Sequence, residues 1–205
     1  MFEVIKSGGI IMVPIILCGV ISTFIIIERL IFYYTTSKGE KALLERIYPL
    51  LKRKEFTTVI EECDRSNTPL SRLLKKAVNY RHYSDKEIKE AVLNEANLEV
   101  PRLERFLTPL GTIANIATLL GLLGTVTGNI QAFGVLGSAG TMGNPAILAG
   151  AISEALVTTA AGLVVSIPSI IFYSYFVSRV SKIITRIEAS AGDVIILLSG
   201  RERIT

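Results

Sequence analysis

An all-α membrane protein with three transmembrane helices, the second and third long and extending into a helical cytoplasmic domain, is the fold class this sequence predicts. Half of its 205 residues are apolar, and they gather into three blocks, at 10–34, 110–136 and 147–177. Each block exceeds the roughly 20 residues that cross a hydrocarbon core, and apolar runs of that length cross as helices. Arg29 and Lys6 apart, lysine and arginine avoid the blocks and the short segments on one side of them, which sets an orientation.

The stub at 1–9 carries Lys6 alone, and the loop at 137–146 is uncharged and glycine-rich, so both are expected on the outer side. The region 35–109 holds most of the basic residues, and the C-terminal segment 178–205 adds Arg179, Lys182, Arg186, Arg201 and Arg203. Both are expected in the cytoplasm, giving a periplasmic N-terminus and a cytoplasmic C-terminus. A signal peptide fits the first block poorly: the block is too long, lacks a basic start, and ends in Glu28-Arg29 rather than in small residues.

The cytoplasmic region reads as amphipathic helices. Leu43, Leu44, Ile47, Leu50 and Leu51 recur at helical spacing, as do Leu70, Leu73, Leu74, Ala77 and Val78. Ser84 followed by Glu87 has the capping-box spacing and predicts a helix from about Asp85, through Ile88, Val92 and Leu93, whose continuation reaches toward the second span. Pro101 and Pro109 are candidate interruptions of that run. The third block is about 46 Å long at helical rise, so it overshoots a ~30 Å core and projects beyond it, with Ile183, Ile184 and Ile187 extending the pattern. Pro168 within it is a candidate helix bend.

Several functions are disfavoured by what the chain carries. The net charge of +4 comes from basic residues interleaved with Glu61, Glu62, Asp64, Glu87, Glu90 and Glu95, which is a solvated helical surface and not a nucleic-acid patch. His82 stands alone, without a metal-ligand set; Cys18 and Cys63 are not placed for a disulfide; and no phosphate loop or nucleophile elbow is present. Neither an enzyme activity nor a bound cofactor is expected.

Polar residues inside the second and third blocks are the candidate functional ones. Thr125 and Thr158 each lie about 11 residues, roughly 16 Å, from the outer ends of their spans, and so share a level near the midplane. Glu154 lies one turn further out than Thr158 and on its face. Threonine hydroxyls in a span commonly bond back to their own helix. A carboxylate is a stronger signal, because an ionised group in a span is costly and usually belongs to an ion pathway. Gly121, Gly124 and Gly128 form a small-residue stripe on one helix, as Ala151, Ala155 and Thr159 do on the other, and such stripes predict close packing in a bundle or an oligomer.

The runs GLLGTVTGNIQAF in the second span and ISEALVTTAAGLVVSIPSIIFYSYF in the third, with Glu28-Arg29-Leu30 closing the first, resemble the ExbB/TolQ/MotA proton-channel family of bacterial inner-membrane proteins over most of the chain. The resemblance implies a multi-pass inner-membrane subunit that forms a homo-pentamer. Its second and third helices would surround the single helix of an ExbD- or TolR-like partner whose aspartate takes up protons. A TonB- or TolA-like protein would receive the work, as in TonB-dependent import or Tol-Pal function, and H+ would be the translocated ion.

Through the motif, the resemblance assigns lumen-facing roles to Thr125, Glu154 and Thr159, whereas ideal helix geometry places Thr158 on the Glu154 face; both threonines are retained. Where the family commonly has proline before the LLGLLGTV run, this chain has Thr118. Three spans and a modest cytoplasmic region are similar to ExbB or TolQ more than to the four-span flagellar subunit. A structural membrane scaffold and an autonomous ion channel are the alternative readings.

Overall fold

The computed structural model describes residues 9–138 and 145–198. The chain forms six helices there: α1 Met12–Lys52, α2 Phe56–Ser66, α3 Pro69–Asn79, α4 Asp85–Leu103, α5 Leu107–Ser138 and α6 Pro145–Leu198. No strand occurs among the described residues. Three helical segments are long and apolar enough to cross a membrane. With 41 and 54 residues, α1 and α6 measure about 62 and 81 Å at helical rise, so each far exceeds one hydrocarbon thickness. The periodic leucines from Leu43 to Leu51 thus belong to the first spanning helix, and Ile183, Ile184 and Ile187 to the last. Helix α6 is not interrupted at Pro168.

The chain divides into two compact units, each assembled from separate stretches. The first takes residues up to Glu28 together with Phe106–Tyr175; the second takes Arg29–Arg105 together with the residues from Phe176 onward.

In the first unit, α5 and α6 are antiparallel, since Gly111 faces Tyr173, Gly121 faces Thr159 and Gly128 faces Ala155. The first part of α1 runs parallel to α6, with Gly19 on Val165 and Ser22 on Ser169. Most large side chains here, including Leu17, Phe24, Leu119, Leu122, Phe133 and Val164, point outward.

The second unit has a core of large aliphatic residues. Leu43 and Ile47 of α1, Leu70, Leu73 and Leu74 of α3, Ile88 of α4 and Ile183 of α6 are almost fully buried. Phe176 packs beside Tyr33, whose hydroxyl donates to the Leu103 carbonyl at 2.7 Å. Leu93 departs from its expected inward position and is exposed.

The capping box at Ser84 is formed: Glu87 accepts from the Ser84 N–H at 2.9 Å and from its hydroxyl at 2.6 Å, while the Glu87 N–H donates back at 3.4 Å. These bonds hold the Glu87 carboxyl below its ordinary range. A second box, at Thr68 and Ser71, starts α3, with Pro69 filling a first-turn position where no N–H is needed.

The expected continuation of α4 into the second span is interrupted. Helix α4 passes through Pro101, ends at Leu103, and α5 begins at Leu107 after Phe106 adopts φ +67°. The break therefore falls between the two prolines, at a bulky residue in the left-handed region, a conformation that costs about 1–3 kcal/mol. Pro109 sits in the first turn of α5, where it removes no intrahelical bond.

Candidate functional site

The α5–α6 seam of the first unit holds most of the residues singled out above. A Cβ added at Gly124 would lie 2.5 Å from Thr158 Cγ2, and one at Gly128 would lie 2.5 Å from Ala155 Cβ and 2.9 Å from the Ala151 carbonyl oxygen. At Gly121 it would meet the Thr159 backbone at 3.3 Å. Gly162, which the stripe at 151, 155 and 159 did not single out, is the tightest against backbone, 2.6 Å from the Ala117 oxygen. The missing side chains let the two backbones approach, which is how helices associate where no water drives them together.

The hydroxyls at the seam divide into two groups. Thr125 donates to Leu122 O at 2.6 Å and Thr158 to Glu154 O at 2.8 Å, each within its own helix. Three others cross between helices: Thr159 to Gly121 O at 2.7 Å, Thr118 to Ser166 Oγ at 2.6 Å, and the Ser22–Ser169 pair at 2.5 Å. Ser169 spends its one proton on Val165 O, so Ser22 is the donor in that pair. Ser22, Ser166 and Ser169 are each 1% exposed. Nothing in the local sequence marked these serines, because their pairing depends on which helices meet. Thr118, the departure from the resembling pattern, makes one of the crossings.

Thr158 is also 1% exposed, with its methyl set in the Gly124 notch, so within this chain it packs against α5. Thr125, Glu154 and Thr159 are half-buried. The Glu154 carboxylate lies against Gly9, whose φ is +63° and where an added Cβ would collide with Oε1. No side chain could occupy that position without displacing the carboxylate.

Among the described residues no group of His, Cys, Asp or Glu is arranged to hold a metal ion. Cys63, 2% exposed, has its thiol pushed up to about 12 by burial and then by Asp64, so it carries no reactive thiolate near neutral pH.

These features define an all-helical membrane protein with a tight, hydroxyl-bridged helix pair and a carboxylate within one of its apolar helices. Residues 65–189 match the MotA/TolQ/ExbB proton channel family. The biopolymer transport proteins ExbB of Neisseria meningitidis serogroup B and of Neisseria gonorrhoeae are each 32% identical to this chain, with 93% of either partner covered. An ExbB-like 3 protein of Synechocystis sp. is 30% identical, over 92% of this chain and 90% of its own length. The chain belongs to the MotA/TolQ/ExbB proton channel family, as a subunit for energy transduction across a membrane.

Proposed function

We propose that this protein is the ExbB- or TolQ-like subunit of a motor in the bacterial inner membrane, driven by the proton-motive force. Five copies surround the single-span helix of an ExbD- or TolR-like partner, with the N-terminus in the periplasm and the basic segments in the cytoplasm. Protons pass between Thr125, Glu154 and Thr159 of this chain and the partner's aspartate. Each charge moved supplies about 2.3 kcal/mol per 100 mV, and the work reaches a TonB- or TolA-like protein through the partner.

One observation carries the reading: Glu154 is half-buried within the apolar part of α6, where a carboxylate is costly unless it serves an ion path. Thr159 supports it, lying five residues along the helix with its hydroxyl turned to α5.

The test pairs Glu154→Gln and Thr125→Val with native mass spectrometry and a transport or envelope-integrity assay in cells. Assembly with the small partner should persist, while force generation falls at least about a hundredfold, the low end of what a positioned proton-transfer group contributes. Full activity in assembled variants would leave a scaffold as the better reading. Conduction by the purified chain without a partner would favour an autonomous channel.

A further inference from the structure

Glu40 and Glu99 lie in the same unit, are 1% and 2% exposed, and solve the problem of a buried carboxylate in opposite ways. Glu99 accepts from Arg72 at 2.7 and 2.9 Å and from Arg102 at 2.7 Å, so its charge is met by three guanidinium N–H groups. Among the described residues, neither oxygen of Glu40 meets a donor. A buried ionised carboxylate without donors is strongly disfavoured, so such a group keeps its proton or draws a partner in.

The charged groups facing Glu40 are Arg186 and Arg179, both on α6. Beside it, a Cβ added at Gly39 would meet the methyl of Thr68, the residue that caps α3, at 3.1 Å. Arg186 donates instead to the Ser37 hydroxyl at 3.3 Å, one turn before Glu40 on α1. An exposed guanidinium with five N–H groups thus rests one turn away from an unmet carboxyl.

We propose that Glu40 is a second proton-binding site of this protein, beyond the apolar part of the first span, which couples the packing of α1 against α6 to pH. In the protonated form the carboxyl packs among its apolar neighbours and Arg186 stays on Ser37. Loss of the proton draws Arg186, and with it that turn of α6, from Ser37 toward Glu40. The site is independent of the path through Thr125, Glu154 and Thr159.

Burial raises this carboxyl from 4.5 to about 7, outweighing the attraction of Arg186 and Arg179. The folded state therefore holds its proton to higher pH than the unfolded chain does. The stability this group allows is greatest on the acid side and is lost as pH rises from about 4.5 through about 7.

The test is an infrared titration of carboxyl groups in the full-length protein in lipid nanodiscs, for the wild type, Glu40→Gln, Glu154→Gln and Arg186→Gln. A carboxyl titrating near neutral pH should survive Glu154→Gln, vanish in Glu40→Gln, and move to higher pH in Arg186→Gln. Hydrogen exchange across 36–43 and 179–187, corrected for intrinsic rates, should accelerate between about pH 6 and about pH 8 in the wild type and not in Glu40→Gln. The proposal is overturned if the neutral-range titration is unchanged in Glu40→Gln or is lost in Glu154→Gln instead. Should Glu40→Gln not fold, an unmoved midpoint in both Arg186→Gln and Arg179→Gln overturns it equally.

Discussion

In the unit formed by residues 9–28 and 106–175, the almost fully buried side chains include Ser22, Ala117, Thr158, Ser166 and Ser169; in the other unit they include Leu43, Ile47, Leu70, Leu73, Leu74 and Phe176. The first unit turns most of its large apolar residues outward, Ile15 and Leu110 being exceptions, and buries small and hydroxylic ones between its helices. The second buries most of its large aliphatic residues, as proteins in water do, with Glu40 and Glu99 enclosed among them. The difference follows from the solvent: lipid tails are as apolar as leucine, so burying leucine in the membrane gains little, and close backbone approach with interhelical hydrogen bonds takes its place. In water, removal of apolar surface is the dominant favourable term.

The largest expected effect tests the unit with the large aliphatic core. Leu73→Ala, at a site with no exposure, should destabilise the second unit by about 2–5 kcal/mol through lost burial and a cavity. Leu122→Ala, on the outward face of α5, should change stability by less than about 0.5 kcal/mol. Denaturation in detergent, read by exchange protection in each unit, compares the two. Equal losses would show that both units are held by apolar burial.

Next in size is the approach of the two backbones. Gly162→Ala puts a methyl 2.6 Å from the Ala117 oxygen, and a helix backbone cannot swing aside as a side chain can. It should cost about 1–3 kcal/mol, the usual range for overpacking. Gly150→Ala, where no described residue lies within 4 Å of the added Cβ, should be neutral or slightly stabilising. The pair differs only in what the methyl meets, so a similar melting temperature for both would remove the seam as the source of stability.

What could be read from the sequence divides along the same line. Three spans, the helix start at Ser84 and the stripe of Gly121, Gly124 and Gly128 were legible, because hydropathy, capping and small-residue spacing are local patterns. The start of α3 was not, since its box places Ser71 where the recognisable signature has Glu or Gln. The break before α5 was expected at a proline and fell at Phe106, whose left-handed backbone no local rule predicts. Thr158 and Thr159 could not be told apart by helix geometry alone; in the folded chain Thr158 sets its methyl in the Gly124 notch and Thr159 donates to Gly121 O, contacts that exist only once α5 and α6 are paired. Glu40 gave no signal at all, for its burial depends on α1 and α6 both continuing far past their apolar blocks.

The smallest effect concerns the hydroxyl bridges. Thr118→Val removes the bond to Ser166 while keeping nearly the same volume, and Ser22→Ala removes the donor to Ser169. Each should cost about 0.6 kcal/mol, the average for hydrogen bonds between membrane helices, because the separated helices in lipid also find partners for their polar groups. Ser22 joins α1 to α6 and Thr118 joins α5 to α6, and the two sites share no partner, so the double variant should lose the sum. A loss well above the sum would mean that the three helices associate as one cooperative set of hydroxyls. A loss near zero would leave the close backbone approach at Gly121, Gly124, Gly128 and Gly162 as what holds α5 to α6.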